Sequence, residues 1–310
     1  MPTIFNIDYS SLDQLDPPTY REVSLDDMVI DERVQRDLLP TKLNGMVGKW
    51  SWALFAASPL VVSHRGGKYV VLDGQHRRAG AELQPLRPGT KEHTAWCLVY
   101  DGMSLQQEAM MFIGLNDATK VMAASQFNAL VTAGEASAVA VNKVINYYGL
   151  TVNPSGGPRC FAAVGAALRI SRWTHGLAVL GDALSVLTQA FPDPVAPNRP
   201  FREEMVTALA RIIHRYGTDV TDGGVDVSDN GRLVKMFRNS WNQYNASEAI
   251  LIAATQLKQG NNVSKTLNAA AVMVMEYNNS VHAKYKLPMW DPKAESRRNM
   301  TDDGEEDTDD

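Results

Sequence analysis

The alternation of apolar and polar positions changes character along the chain. Residues 1–19 are polar and carry Pro17-Pro18, the pattern of a loosely held arm. Arg21–Leu25 alternates as a first strand does, whereas Thr41–Trp52 places Leu43, Met46, Val47 and Trp50 at helical spacing. The clearest strand signal follows. Leu60-Val61-Val62-Ser63 and Tyr69-Val70-Val71-Leu72 flank His64-Arg65-Gly66-Gly67-Lys68, and two β-rich runs about a Gly-Gly turn predict a hairpin. Ala95–Tyr100 is a further strand.

Beyond Tyr100 the period becomes that of a helix. Ser104 with Gln107 three positions later is a capping-box signature, opening a helix to about Ile113. From Ser125 onward the chain reads as helical, with stops at Gly149, Gly217 and Gly260 and polar loops at Pro192–Pro200 and Gly217–Asn230. Phe201, Met205, Leu209, Ile212, Ile213 and Tyr216 form an amphipathic stripe. No repeat or heptad persists. The expected fold class is α+β: an arm over 1–19, a mixed module over about 20–118, an all-α region over about 119–290 and a disordered tail over 291–310.

Composition adds a compartment and removes one inference. Forty-five per cent of residues are apolar, yet no run approaches the roughly 20 that would span a membrane. The early acids of MPTIFNIDYSSLDQLD are unlike a secretory signal. Cys97 and Cys160 offer neither a disulfide framework nor metal-ligand spacing, so a cytoplasmic home is expected. The formal charge of -5 misleads, because residues 301–310 alone hold seven acids. Removing those seven from the 35 acids leaves 28 against 30 bases. Any electrostatic footprint for nucleic acid must be local.

One turn concentrates the chemistry. Tyr69–Leu72 runs into Asp73-Gly74 and then Gln75-His76-Arg77-Arg78-Ala79-Gly80-Ala81. A strand feeding a helix through Asp-Gly leaves backbone N–H groups at the helix's first turn, a ready anion site. Gly74 permits the turn and lets an anion approach the backbone. His76, Arg77 and Arg78 would place cationic donors there. Their repulsion by the helix dipole, about 0.3–1 kcal/mol each, would be reversed by a bound phosphate. Small residues at Ala79, Gly80 and Ala81 would let the helix pack closely. The plainer alternative is a helix capped by Asp73 with solvated basic residues.

The order strand, turn, strand, Asp-Gly-Gln-His-Arg-Arg, helix resembles the N-terminal domain of the ParB/sulfiredoxin superfamily. Val34-Gln35-Arg36 resembles that family's first motif, Pro59-Leu60-Val61-Val62 the strand before its hairpin, and Gly114-Leu115-Asn116-Asp117 loosely its third motif. The form is closer to ParB-like proteins encoded by bacteriophages than to ParB itself, and the resemblance covers residues 20–120. It implies that Gly74, His76 and Arg77 hold the triphosphate of CTP, and that Asn116 helps hold nucleotide and Mg²⁺. Gln75 stands where ParB has a Glu associated with hydrolysis, and Leu115 replaces the Glu of the third motif. A neutral amide cannot act as a general base, which disfavours fast turnover but not binding. Sulfiredoxin's reactive Cys is also replaced by Gln75, which argues against sulfur chemistry. The Asp-Gly-His-His-Arg box of free-serine kinases is nearer to Asp73–Arg77, so phosphoryl transfer stays open, with Asp73, Gln75 and His76 as catalytic candidates.

Other candidates are weaker. Arg36 is either a further phosphate contact or an ordinary surface arginine. Asp26, Asp27, Asp31 and Glu32 would either aid a divalent ion or form a solvated acidic loop. Glu135–Tyr148 and a helix from about Pro158 invite comparison with a helix-turn-helix, though the link is long. There Arg159, Arg169 and Arg172 are DNA-contact candidates set against simple helical packing. His175, His214 and His282 are isolated, and Trp173, Trp241 and Trp290 are expected to pack the helical region. The expected function is therefore a ParB-like switch that binds CTP or ATP with Mg²⁺. Its helical region would engage DNA or a second subunit, as in a homodimer. The rivals are a nucleotide-dependent kinase or nuclease, and a non-catalytic DNA-binding or assembly protein.

Overall fold

Strands form where the alternation predicts them and extend slightly further. In the computed structural model β1 is Thr19–Ser24, β2 the short Met28–Val29, β3 Leu60–Arg65, β4 Lys68–Asp73 and β5 Thr94–Asp101. The structure describes residues 9–35, 38–87, 89–116, 123–153, 157, 159–193, 199–221, 223–240, 246–260 and 263–297. One mixed sheet results, in the order β1-β5-β3-β4-β2. The β1–β5 and β3–β4 pairs are antiparallel, and the β3–β5 and β2–β4 pairs parallel. Gly66 and Gly67 join the hairpin with φ of 61° and 75°, the positive values that a two-residue turn of matching twist requires.

Burial follows the pleat. In β5, Ala95, Cys97 and Val99 are buried while Trp96 is exposed. Those three join Val23, Leu25, Phe55, Leu60, Val62 and Val71 in one core. Burial also pushes the Cys97 thiol up to about 12, which leaves it inert at neutral pH. In β4, Val70, Val71 and Leu72 are all buried, as expected for a strand covered on both faces.

The helical stretch foreseen over Thr41–Trp52 divides in two. Helix α1 is Pro40–Val47, and α2, Trp52–Ala56, restarts at Ser51, whose hydroxyl accepts from the Leu54 amide at 3.4 Å. Helix α3 is Gln75–Glu82. Gly80 lets it pack against α1 and Trp50 just beyond, since a Cβ there would lie 2.9 Å from the Trp50 ring and 3.5 Å from Met46 Sδ of α1. Helix α4 spans Leu105–Asn116, past the expected Ile113. Its capping box is reciprocal: Ser104 Oγ accepts from the Gln107 amide at 3.2 Å and Gln107 Oε1 from the Ser104 amide at 2.9 Å. The N-terminal arm is better anchored than its polarity suggests. Gln107 Nε2 donates to the Ser11 carbonyl at 2.9 Å, so residues 9–18 are held to α4.

A chain of ion pairs ties these parts. The Glu108 carboxylate is wholly buried and receives Arg65 Nε at 3.0 Å and Nη2 at 3.2 Å. The same Nη2 reaches Asp31 Oδ2 at 2.8 Å, and Arg33 Nη2 reaches that oxygen at 2.6 Å. The Arg33 hydrogen bond, aided by Arg65, holds the Asp31 carboxyl down at about 2. Helix α5, Ala123–Thr132, packs on α4, and Thr132 Oγ1 donates to the Arg33 carbonyl at 2.8 Å. The first compact unit accordingly runs to Val139, beyond the boundary near 118 expected from sequence.

The second unit, Ala140–Asp310, is helical among its described residues. Helix α6 is Ala136–Tyr147, α7 Val164–Ile170, α8 Gly176–Ala190 and α9 Glu203–Tyr216. Then follow α10 (Arg232–Ser240), α11 (Ala246–Gly260), α12 (Lys265–Ser280) and the short α13 (Pro292–Glu295). Of the predicted stripe, Phe201, Met205, Leu209, Ile212 and Ile213 are buried. Tyr216 is instead half-buried and donates its hydroxyl to the Pro288 carbonyl at 2.9 Å. Helix α12 packs against α9, α10 and α11. Trp173 and Trp290 are buried here as expected, while Trp241 and the acidic tail lie outside the described residues. Among the described residues no helix is long and apolar enough to cross a membrane.

Two outcomes follow from the ion pairs. Arg65→Met leaves the buried Glu108 carboxylate unmatched and should lower unfolding free energy by about 3–5 kcal/mol in urea titrations. Asp31 has a depressed folded pKa, so its contribution is present above the ordinary value of 3.8 and disappears as pH falls through about 2. The urea midpoint should therefore drop across that acid window, and Asp31→Asn should flatten the drop.

Candidate functional site

The β4–α3 junction is built by steric and hydrogen-bonding demands of the protein itself. Gly74 caps α3 in the left-handed region, φ 94°. A Cβ there would approach Leu60 Cδ2 to 2.4 Å and Arg77 Nη2 to 2.9 Å. Backbone conformation and packing thus require glycine, in keeping with the tight turn expected there. A glycine cap brings no side chain to the first-turn amides of α3, which have no acceptor within the helix.

Against this turn lies a cavity of about 280 Å³. Gln35, Lys42, Gly74, Gln75, His76, Arg77 and Asn116 line it, together with Asp73 and the apolar Met46, Leu72 and Leu115. The turn, Gln35 and the end of α4 therefore meet at one place. Arg36 and Asp117 themselves lie outside the described residues.

Several of the lining groups are already engaged within the protein. Arg77 is a clamp: Nη1 donates to the Ser58 carbonyl and, at 2.6 Å, to Ser58 Oγ, while Nη2 meets Asp73 Oδ2 at 3.0 Å. It joins the segment before β3 to the start of α3, and its guanidinium is shared with the protein. Asp73 is accordingly an ion-pair partner and does not cap the helix by its side chain. His76 is buried, and its Nε2 accepts the Leu39 amide at 3.0 Å. Acceptance needs the nitrogen lone pair, so the ring is neutral in this arrangement and adds no charge. It fixes instead the start of α1, whose N-cap is Leu39.

Arg78 does not line the cavity. It pairs with Glu82 at 2.9 Å and reaches the Leu25 carbonyl at 3.3 Å, a correction to its reading as a phosphate contact. Gln75 is buried, and neither heteroatom of its amide has a hydrogen-bond partner among the described residues. Gln35 Nε2 donates to the carbonyls of Val71 at 2.9 Å and Leu72 at 2.6 Å. Asn116 Nδ2 donates back to the Phe112 carbonyl at 2.8 Å, so the amide oxygen is the group left to the cavity.

Lys42 is the residue the sequence reading missed. It is exposed on the first turn of α1 and makes no ion pair among the described residues. No local motif surrounds it; only the fold of α1 over α3 brings it to the turn. The cavity thus carries two cations, Lys42 and Arg77, against the carboxylate of Asp73.

Two of the four acidic candidates are engaged elsewhere. Asp27 pairs with Lys68 at 3.2 Å and Asp31 with Arg33 and Arg65. Among the described residues no three His, Cys, Asp or Glu side chains gather as a metal cage. In the second unit, Arg159 spends its guanidinium on the carbonyls of Gly149 (2.9 Å), Tyr148 (2.8 Å) and Pro192 (2.9 Å), and Arg169 pairs with Glu203. Arg172 also has an internal partner. An isolated β-bridge pairs Thr151 with Cys160 after α6, and α7 begins only at Val164, six residues past the expected start. That spacing is not a helix-turn-helix.

Neither a curated protein nor a solved structure matches the chain. A family of unknown function, DUF6551, matches residues 33–241, from the turn before Gln35 through α3, α4 and the helices up to α10. Because that match takes in more than half of the chain, the protein belongs to the DUF6551 family.

Proposed function

We propose that the first unit is a nucleotide-binding module of ParB-like type, taking CTP or ATP with its polyphosphate against the first turn of α3. The observation that carries this reading is the convergence of the α3 amides, Lys42, Arg77 and Asn116 on one cavity. Its 280 Å³ approach the about 300 Å³ at which small-molecule sites begin. Helix N-termini favour anions through both their free amides and the helix dipole. Lys42 adds a compact charge suited to phosphate oxygens.

The residues present suit Mg²⁺ only as an ion that arrives with the phosphates. Asp73 is the one carboxylate among the lining residues, with amide oxygens from Asn116, Gln35 and Gln75. Mg²⁺ typically takes one or two protein ligands and fills its octahedron with phosphate and water. Bound so, it would offset the negative charge that two cations leave unmatched.

Binding is favoured over rapid turnover. Gln75 cannot accept a proton as a general base, and His76 Nε2 is already occupied by the Leu39 amide. Association with DNA rests on the ParB resemblance alone, because Arg159 and Arg169 are committed within the protein.

Titration calorimetry of the full chain with CTP, ATP, GTP and UTP in Mg²⁺ should show saturable heat with at least one of them. Lys42→Met touches no internal contact and should weaken that binding by about tenfold or more, the loss of one charge-assisted hydrogen bond. Absence of heat with all four nucleotides would end the reading.

A further inference from the structure

A second cleft of the first unit lies between α2 and the start of β5. Leu60, the first residue of β3, pairs with Cys97, so Thr94–Trp96 have no strand beside them on the β3 side among the described residues. Trp52 and Phe55 of α2 line the cleft there with Trp96, Glu22 of β1, and Arg87, Glu92 and His93 from the segment leading into β5. It shares no lining residue with the cavity at α3.

Three features of its wall point to a cation. The first is charge. Glu22 accepts the Thr94 hydroxyl at 2.6 Å and Glu92 the Ser24 hydroxyl at 2.7 Å, neutral donors that leave both carboxylates negative. Neither is in an ion pair among the described residues, whereas Asp27, Asp31 and Glu108 of the same unit each are. Arg87 supplies one positive charge against those two, and its exposed guanidinium is paired with neither.

The second feature is aromatic surface. Trp52 stands edge-on to Phe55, 5.8 Å between centroids, and Trp96 is 38% exposed with Tyr20 stacked on it. The cation–ring contacts of the described residues fall on Trp173, Tyr216 and Tyr285, and none on these rings. The third is an orphaned acceptor. His93 stacks on Trp52, and its Nδ1 is buried with no hydrogen-bond partner among the described residues. With the ring proton on Nε2, Nδ1 accepts from a ligand N–H.

We propose that this cleft binds a guanidinium group, paired with the Glu22 and Glu92 carboxylates and stacked on the indole surface. A guanidinium joins a planar face that stacks on aromatic rings to a fork of donors that matches a carboxylate, and an ammonium has only the charge and three compact donors. The group arrives on a small guanidine or on an arginine side chain of a peptide.

Titration calorimetry of the full chain at constant ionic strength tests this with three probes. They are N-acetyl-arginine methylamide, its uncharged citrulline counterpart, and a Gly-Gly-Arg-Gly-Gly peptide blocked at both ends. The wild-type chain should give saturable heat with the arginine amide and none with the citrulline amide. Tighter binding of the peptide assigns the site to an arginine of a protein partner, and equal binding assigns it to a small guanidine. Glu22→Gln and Glu92→Gln keep an acceptor for the Thr94 and Ser24 hydroxyls, and each should weaken binding by about tenfold. Trp96→Leu should weaken it by about threefold or more. Arg87→Met should strengthen it by removing a like charge, and Lys42→Met, at the α3 site, should leave it unchanged. No saturable heat in the wild type overturns the proposal. Equal heat with the citrulline amide does so too, as does undiminished heat in both glutamine variants, which would assign the binding to the acids of residues 301–310.

Discussion

A carboxylate removed entirely from water has to be met by a cation with good geometry, and Glu108 imposes that condition on the first unit. Its cation, Arg65, sits at the end of β3, so the hairpin is drawn onto α4. Arg65 also reaches Asp31, which brings the segment leading to Gln35 under the same constraint. Isolated surface pairs contribute little, but this one has a wholly buried partner and a bidentate guanidinium. Its geometric consequence is larger than its energy. Asn116 from α4 and Gln35 from the preceding turn arrive beside the start of α3 because hairpin, helix and loop share one ionic junction.

The site itself divides structure from binding in a way that the residue types conceal. Arg77, the most phosphate-like of the basic residues, locks Ser58 to Asp73, and His76 holds the start of α1. Through that bond His76 sets the place of Lys42, a cation without an internal partner among the described residues. The arrangement resembles a cradle whose frame is polar and whose free donors are few: one ammonium and the amides of a helix start. Such a frame avoids the repulsion that three uncompensated cations at a helix N-terminus would create.

The second unit shows the same economy. Arg159 satisfies the carbonyls of Tyr148 and Gly149 just past the end of α6, where orphan C=O groups need donors, and that of Pro192 past the end of α8. Arg169 is held by Glu203, and Arg211 lies beneath the surface over Trp173. Counting arginines along α7 therefore overstates the positive surface there. Charge that is already hydrogen-bonded inside a protein steers a nucleic-acid backbone weakly.

Local pattern made several features readable in the chain alone. The hairpin about Gly66-Gly67, the reciprocal Ser104–Gln107 cap, the strand through Cys97 and the buried stripe of α9 each depend on neighbours within a few residues. The Asp73–Arg78 turn was legible for the same reason, as a strand ending at a glycine and opening a helix. Tertiary structure alone decided which donors face the cavity. Lys42 reaches it because α1 lies over α3; Arg78 leaves it for Leu25 and Glu82; Gly74 is demanded by Leu60, fourteen positions earlier. A sequence states which groups carry charge and polarity. Whether a charge is spent inside the protein or offered to a ligand depends on partners distant along the chain, and folding alone brings those within hydrogen-bonding reach.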